Sequence, residues 1–183
     1  MKLPTLAGKL IRLRPLKRSD IQSIAANANN PAVAKYLPLL PHPYSVDNAR
    51  EWINISQAAA RNNTGYHFGI EQISEHGIIG VIGLTNLNKN DKNAETGYWL
   101  AQLYWGRGFI PEAVTLILGF AFDTLKLHRV YAVTHSGNSR SIRVLEKAGF
   151  TLEGTWRKAS QIDNVWSDVY AWGILEEEWR PRK

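Results

Sequence analysis

The chain has 183 residues, of which 44% are hydrophobic and 21% are charged, and its formal net charge is +6. These values are typical of one folded globular domain and unlike those of a disordered chain. The sequence contains no cysteine, which excludes disulfides, thiolate metal sites and cysteine nucleophiles and favours a cytoplasmic protein. We find neither a secretory signal nor a run of about 20 apolar residues, so we expect no membrane segment.

The first part of the chain alternates between extended and helical patterns. Apolar and basic residues alternate over residues 9–14, which predicts a strand with one buried face. Helical spacing predicts two helices, over residues 19–30 and 45–61, each opened by a serine N-cap. Residues 36–44 carry three prolines and two tyrosines, so they predict an ordered loop rather than a helix or a central strand.

The rest of the chain predicts a sheet with one crossover. Apolar patterns predict strands and helices in the order strand 66–72, strand 78–84, strand 95–100, helix 111–125, strand 130–134, helix 139–148, strand 151–158 and strand 165–175, with a turn at 161–164 between the last two. The strand–helix–strand order predicts a parallel crossover within a mostly antiparallel sheet. We therefore predict a single α+β domain over residues 1–183, with helices on both faces of a mixed sheet.

A glycine turn at residues 104–113 separates a strand from a helix. Gly106 and Gly108 lie one residue apart, and their backbone freedom lets successive N–H groups point the same way. The helix start adds partial positive charge and Arg107 adds a cation, so the turn favours a pyrophosphate. An ordinary glycine turn is the alternative, because a lone G-x-G is weak evidence. The segment matches neither a Walker loop nor a Rossmann fingerprint.

Five histidines are present, and their spacing with carboxylates does not match that of metal ligands. Each histidine is therefore interpreted as a surface or packing residue, and we predict no metal. The net charge of +6 favours an anionic partner, which includes small phosphorylated molecules, acidic proteins and nucleic acids.

Several spaced motifs resemble one known family. They are ETGYWL at residues 95–100, WGRGFIPEA at 105–113 and NSRSIRVLEKAGF at 138–150, with further matches at 11–16, Asp20, 153–154 and 178–179. Together they resemble the GNAT superfamily, and within it the Rim-type branch of ribosomal-protein N-terminal acetyltransferases. The resemblance covers nearly the whole chain and implies acetyl-CoA as the cosubstrate.

The resemblance also implies roles for particular residues. The backbone of residues 100–102 would pair with the pantetheine arm, the N–H groups of residues 107–110 would take the pyrophosphate, and the next helix start would face the thioester. The residues implied in cofactor binding are Leu100, Ala101, Gln102, Gly106, Arg107, Gly108, Phe109, Ile110, Asn138 and Ser141. The chain departs from the family at Ile110, where a small residue is usual, and at Pro111, which lacks an N–H. We therefore expect a lower cofactor affinity than is typical.

Acetyl transfer to an amine needs a neutral amine, a stabilised oxyanion and a proton for the leaving thiolate. Glu95 is the candidate base, with a surface carboxylate as the alternative, and Ser141 is the candidate acid, with helix capping as the alternative. A backbone N–H near Leu100 and Ala101 would stabilise the oxyanion, as the resemblance implies. The candidates for the acceptor pocket are Tyr36, Tyr98, Trp99 and Trp172. The alternative is that they pack in the core, as aromatic residues at strand spacing more often do.

The acceptor amine is open at this point. An α-amino group titrates near about 7.7–8.0 and a lysine near about 10.4, so an α-amine needs less help from a base. We favour the α-amino group of a ribosomal protein, with a small amine as the alternative. A non-catalytic acetyl-CoA-binding domain and a nucleic-acid-binding module are further alternatives, although no recognition helix supports the latter. Trp166, Trp172 and Trp179 allow a homodimer through an apolar patch.

Overall fold

The structure, a computed structural model, describes residues 3–162 and 164–179. Its strands are β1 (Leu6–Ala7), β2 (Ile11–Pro15), β3 (Tyr66–Gln72), β4 (Ile78–Asn88), β5 (Asn93–Leu100), β6 (Arg129–His135), β7 (Thr151–Ile162) and β8 (Val165–Leu175). They form one eight-stranded sheet in the order β1-β2-β3-β4-β5-β6-β8-β7. In the described residues β5–β6 is the one parallel pair, so the predicted mixed sheet with one crossover is confirmed.

Helices cover both faces of this sheet, as predicted. They are α1 (Ile21–Ala28), α2 (Pro31–Ala34), α3 (Val46–Asn62), α4 (Phe109–Gly119) and α5 (Ser139–Ala148). One core lies on the face of α1 and α3, where Ile24 and Ile53 pack with Val81 of β4. The larger core lies on the face of α4 and α5, where Ile117 and Leu145 pack with Ile82 of the same strand. Successive β4 residues therefore serve opposite cores.

The burial of each strand follows its place in the sheet. Strand β3 is buried along nearly its whole length, as is the first part of β4, because both lie between two helical layers. Strand β7 forms the far edge and is mostly exposed. None of the described helices is long and apolar enough to cross a lipid bilayer.

Two of the predicted helix starts differ from the observed ones. Ser19 does not cap α1, because a 3₁₀ turn at Arg18–Asp20 precedes that helix. The Asp20 carboxylate instead accepts a hydrogen bond of 2.9 Å from the Lys17 N–H. Helix α4 begins at Phe109, two residues before the predicted start at Pro111. A proline is tolerated there because the N–H groups of the first helical turn have no partner within the helix.

Other boundaries follow from local capping. Ser45 caps α3 as predicted, since its Oγ accepts a hydrogen bond of 3.1 Å from the Asn48 N–H. The short helix α2 was not predicted; Asn30 caps it by accepting from the Ala32 N–H at 2.8 Å. Helix α4 does not run unbroken to residue 125 but passes into a π-helical turn at Phe120–Thr124.

The two ends of the sheet also differ in detail from the prediction. Strand β2 begins at Ile11 rather than at residue 9, because the Glu112 carboxylate holds the preceding N–H groups of Lys9 and Leu10 in a turn. Strands β7 and β8 form the predicted terminal hairpin. Of the predicted turn at 161–164, Asp163 lies outside the described residues.

Candidate active site

Strands β5 and β6 separate after a short parallel pairing. The pairing joins Asn93, Ala94 and Glu95 to successive residues of β6 from Arg129 to Tyr131, and beyond it the two strands diverge. A cleft of about 770 Å³ occupies the opening. Its walls are residues 96–100 of β5 and 132–135 of β6, with parts of α2 and its following loop, of the segment 104–111 and of α5.

The two faces of the sheet present different side chains to this cleft. On β5, Tyr98 packs with the core of α4 and α5, whereas Trp99 packs with the core of α1 and α3. On β6, Ala132 belongs to the α4–α5 core, so by strand alternation Val133 and His135 face the α1–α3 side. The cleft therefore opens on both faces of the sheet.

Some backbone groups at the end of β5 already form hydrogen bonds within the protein. The Ala101 N–H donates to the Ile79 carbonyl at 2.8 Å, and the Leu100 carbonyl accepts from the Trp105 Nε1–H at 2.8 Å. The prediction of Ala101 as an oxyanion donor is therefore wrong, because its N–H is already bonded within the sheet. Backbone groups alternate in direction along a strand, so the Leu100 N–H points toward the opening instead.

The N-terminus of α4 faces the same cleft. Gly106 and Gly108 have φ of 78° and 82°, a left-handed region that favours glycine. Gly108 is the N-cap and offers no side chain, so the N–H groups of Phe109 and Ile110 in the first turn have no capping partner. Gly106, Gly108, Phe109 and Ile110 all line the cleft. This geometry suits an anion such as a pyrophosphate.

Cations line the cleft. Arg140, Arg143 and Lys147 of α5 lie on its walls, as does Lys35 next to α2. The Arg140 guanidinium lies 4.7 Å from the centre of the Trp105 ring, which positions it beside the glycine turn. Among the described residues the walls carry no aspartate or glutamate. The site is therefore electropositive and fits a polyphosphate ligand.

A hydrogen-bonded hydroxyl pair lies inside the cleft. The Tyr98 hydroxyl and Ser141 Oγ are 2.8 Å apart. Burial raises the pKa of Tyr98 to about 12, although the hydrogen bond with Ser141 opposes this shift, so the phenol stays protonated at neutral pH. Asn138 caps α5 by accepting a hydrogen bond of 3.2 Å from the Ser141 N–H. The structure thus brings Tyr98, Asn138 and Ser141 together on one wall.

On the α1–α3 side, Tyr36 bridges the cleft. Its hydroxyl donates to the Gly137 carbonyl at 3.0 Å, and its ring centre lies 5.9 Å from that of His135. Tyr36 and Trp99, two of the residues predicted for the acceptor pocket, line the cleft, and their contact with an acceptor stays a prediction. His135 lines it as well and was missed, because the histidine spacing in the sequence carried no sign of the cleft.

Several predicted site residues lie off the walls. Glu95 is the last residue of the parallel pairing, and its Oε2 accepts from Asn86 at 2.9 Å. Gln102 is exposed, and its Oε1 accepts from Asn30 at 3.0 Å. Arg107 is exposed, with its guanidinium 5.4 Å from the centre of the Tyr104 ring.

Trp172 is also absent from the cleft. It is only 3% exposed, and its Nε1–H donates to Thr134 Oγ1 at 2.9 Å. The prediction that Trp172 lines the acceptor pocket is therefore wrong, since the side chain packs in the core. It supports the cleft indirectly by holding Thr134, which does line it.

One exposed group of side chains could ligate a cation. Single ligand atoms of His128, Glu176 and Glu177 lie within 4.8 Å of one another. They lie where β6 begins and just after β8 ends, at the opposite end of β6 from the cleft. Sequence spacing missed this group because the β6–β8 pairing brings its members together.

A splayed parallel strand pair, a glycine turn at a helix N-terminus and cationic walls together define a site for a ligand that carries a polyphosphate. Residues 11–151 match the model of the acetyltransferase (GNAT) domain family. The chain therefore belongs to the GNAT acetyltransferase family, and it is an acetyl-CoA-dependent N-acetyltransferase.

Three comparisons illustrate the similarity. The chain is 34% identical over 177 residues to the probable N-acetyltransferase YjcK of Bacillus subtilis, covering 94% of this chain and 98% of YjcK. It resembles the ribosomal-protein-S5-alanine acetyltransferase of Vibrio fischeri with a TM-score of 0.86 and 25% identity, over 97% of this chain and 100% of that one. It resembles the Vibrio cholerae spermidine N-acetyltransferase in complex with CoA and spermine with a TM-score of 0.82 and 26% identity, over 93% of this chain and 98% of that one.

Proposed function

We propose that this protein transfers the acetyl group of acetyl-CoA to the α-amino group of a protein, with a ribosomal protein as the favoured acceptor. Relatives with the same fold include a ribosomal-protein acetyltransferase and a spermidine acetyltransferase, so the choice between acceptors depends on the site. A cytoplasmic location stays a prediction and agrees with a ribosomal acceptor.

The charge of the cleft is the observation that carries this proposal. Its walls include Lys35, Arg140, Arg143 and Lys147, and among the described residues they include no carboxylate. A polyamine brings two or more positive charges and needs acidic groups to bind them, and the described walls offer none. A protein N-terminus brings one amine, and its pKa near about 7.7–8.0 requires only modest activation.

The residues of the cleft fit acetyl-CoA, which would supply the activated acetyl group. The uncapped N–H groups of Phe109 and Ile110 would bind its pyrophosphate, with Arg140 nearby as a counter-charge. The Leu100 N–H would stabilise the oxyanion, and Ser141 would give a proton to the leaving sulfur. Tyr98 holds the Ser141 hydroxyl in place from the wall of β5.

Tyr36 and Trp99 would contact the acceptor from the α1–α3 face, opposite Ser141. Glu95 as the general base stays a prediction. By strand alternation its side chain points to the same face as Trp99, but it lies off the cleft wall.

Acceptor kinetics test the proposal. Thiol release from acetyl-CoA would be compared for an alanine-initiated peptide, for the same peptide with a blocked N-terminus and one internal lysine, and for spermidine. We expect kcat/KM for the free α-amine to exceed the other two by at least about tenfold, because the amine pKa and the cleft charge both favour it. Faster turnover of spermidine than of the peptide would contradict the proposal.

A further inference from the structure

His135 is a buried titratable group, one of whose ring nitrogens has no hydrogen-bond partner among the described residues. It is the last residue of β6, its side chain lines the cleft, and the residue is only 7% exposed. Its Nδ1 is enclosed and has no hydrogen-bond partner among the described residues. Since Nδ1 is enclosed, a substrate in the cleft would meet the imidazole at its other nitrogen, Nε2. Buried imidazoles normally have a hydrogen-bond partner, so a buried histidine on a ligand cleft with an unpartnered nitrogen is a candidate for a functional role.

The position of His135 relative to Ser141 matches the two proton transfers of the reaction. The Tyr98–Ser141 pair lies on the α4–α5 face of the splayed strands, whereas strand alternation places His135 on the α1–α3 face with Trp99. A proton donor for the thiolate and a proton acceptor for the ammonium can lie on different sides of the reacting carbon. The two sides of the cleft supply one group each.

We propose that His135 is the general base that accepts a proton from the acceptor ammonium, in place of Glu95. This inference rests on the proposed transfer to an α-amine. The imidazole takes one proton from the ammonium and releases it to solvent after turnover. The neutral amine then forms the C–N bond as the C–S bond breaks. Ser141 gives its proton to the sulfur, and the second proton lost by the nitrogen restores the Ser141 hydroxyl.

The surroundings of His135 keep it neutral and able to accept a proton. Burial lowers its pKa below the usual 6.5, and no charged neighbour contributes to that shift. The Tyr36 ring packs against the imidazole, and Lys35 lines the same cleft. On β8, His135 pairs with Val169, and Asp168 precedes that residue. The Asp168 carboxylate already accepts a hydrogen bond of 2.9 Å from the Lys158 N–H.

Tyr98 and Arg140 also face the cleft, from β5 and α5. Tyr98 stays protonated because burial raises its pKa to about 12, and arginine is always charged in proteins. Among the groups on the described walls, His135 is therefore the one whose proton affinity suits a base at neutral pH.

The pH dependence of kcat/KM with the alanine-initiated peptide tests this assignment in wild-type protein, His135→Gln and Glu95→Gln. If His135 accepts a proton from the ammonium, the wild-type kcat/KM should not change with pH between the pKa of His135 and the pKa of the amine. Throughout that interval the imidazole is neutral and the amine is protonated. In His135→Gln only the free amine reacts, so the rate rises about tenfold per pH unit up to about pH 8. We expect a deficit of about a hundredfold at pH 6 that nearly disappears at pH 9.

Controls separate this failure from others. His128→Gln changes an exposed histidine outside the cleft and is expected to keep the wild-type profile. Calorimetric CoA binding and thermal unfolding show whether His135→Gln is folded. The wild-type protein could be active, with a flat pH profile that His135→Gln keeps and Glu95→Gln loses. That result would overturn the assignment of His135 as the base and leave the proposed function standing. A wild-type protein that acetylates no α-amine would overturn the proposed function itself.

Discussion

At the scale of single residues, the proposed proton transfer to sulfur depends on one hydroxyl contact. Ser141 Oγ lies 2.8 Å from the Tyr98 hydroxyl, and the Ser141 N–H is held by Asn138. The Ser141 hydroxyl would protonate the leaving sulfur, whereas the cap of α5 uses the Ser141 N–H. Proton donation and helix capping can therefore be tested independently.

Replacing Ser141 with alanine should lower kcat by about a hundredfold while leaving the α5 cap intact, because only the hydroxyl is removed. Tyr98→Phe should lower kcat less, since it loosens the serine without removing it. Thiol release at saturating acetyl-CoA measures both. Ser139→Ala is the matched control, because Ser139 is exposed in the same helical turn and does not line the cleft. A Ser141→Ala enzyme with wild-type kcat would show that sulfur leaves unassisted.

The position of a residue on the cleft could be predicted from the sequence where one motif forms a contiguous piece of the wall. The glycine turn indicated Gly108, and the family resemblance implied Asn138 and Ser141; all three line the cleft, and their roles stay predictions. Trp172 failed because its burial depends on the pairing of β6 with β8. Ala101 failed because its N–H partner, Ile79, lies on another strand. Neither partner is visible in local sequence.

At the scale of elements, the N-terminus of α4 forms the proposed anion site. Glu112 accepts hydrogen bonds from the backbone of Lys9 and Leu10, which ties the first turn of the helix to the sheet edge. Pro111 is the third residue of the helix and offers no N–H. The site therefore lacks one of the donors that a helix start usually provides.

Restoring that donor should tighten cofactor binding. In Pro111→Ala we expect the Kd for CoA to fall about fivefold, since one hydrogen bond contributes about 1 kcal/mol. Gly108→Ala should weaken binding, because its φ of 82° is unfavourable for any residue with a Cβ. Calorimetry measures both variants. Unchanged affinity in Pro111→Ala would show that CoA does not reach this turn.

The order and type of the main elements could be predicted from periodicity, and the start of α4 could not. Serine capping gave the start of α3 correctly, because the Ser45 contact with Asn48 is local. For α4 the rule that proline opens a helix misplaced the start by two residues. The first turn is set instead by the glycine turn before it.

At the scale of the whole molecule, two buried groups make stability depend on pH. Burial lowers the pKa of His67 to about 4. Burial would raise the pKa of Glu71, but hydrogen bonds from Arg14, Arg12 and the Gly77 N–H outweigh it and lower the pKa to about 2. In both cases the folded state binds protons less readily than the unfolded state.

Each group therefore contributes stability above its unfolded pKa and loses it on acidification. For His67 the loss falls between pH 6.5 and about 4, and for Glu71 between pH 4.5 and about 2. Each full shift corresponds to about 3 kcal/mol. Urea unfolding of the wild-type protein and of His67→Asn should show that the free energy of unfolding falls less steeply in the variant between pH 6.5 and 4.5. Equal slopes would mean that His67 titrates normally in the folded protein.

The exposed edge of the sheet favours self-association. Trp156 of β7 and Trp166 of β8 are 54% and 55% exposed, and β7 is an edge strand. We expect sedimentation velocity to show a dimer that Trp156→Glu and Trp166→Glu convert to a monomer. A monomeric wild-type protein at micromolar concentration would contradict this. Glu177→Gln is a suitable control, since it changes an exposed residue outside the hairpin.

The position of the transferred acetyl group tests the central claim most directly. Wild-type protein would be incubated with acetyl-CoA, spermidine and one peptide that carries both a free α-amino group and an internal lysine, and the products analysed by fragmentation mass spectrometry. The cationic cleft predicts acetylation of the α-amino group, with the lysine and spermidine largely unmodified. Acetyl groups on spermidine or lysine in preference to the N-terminus would contradict the account.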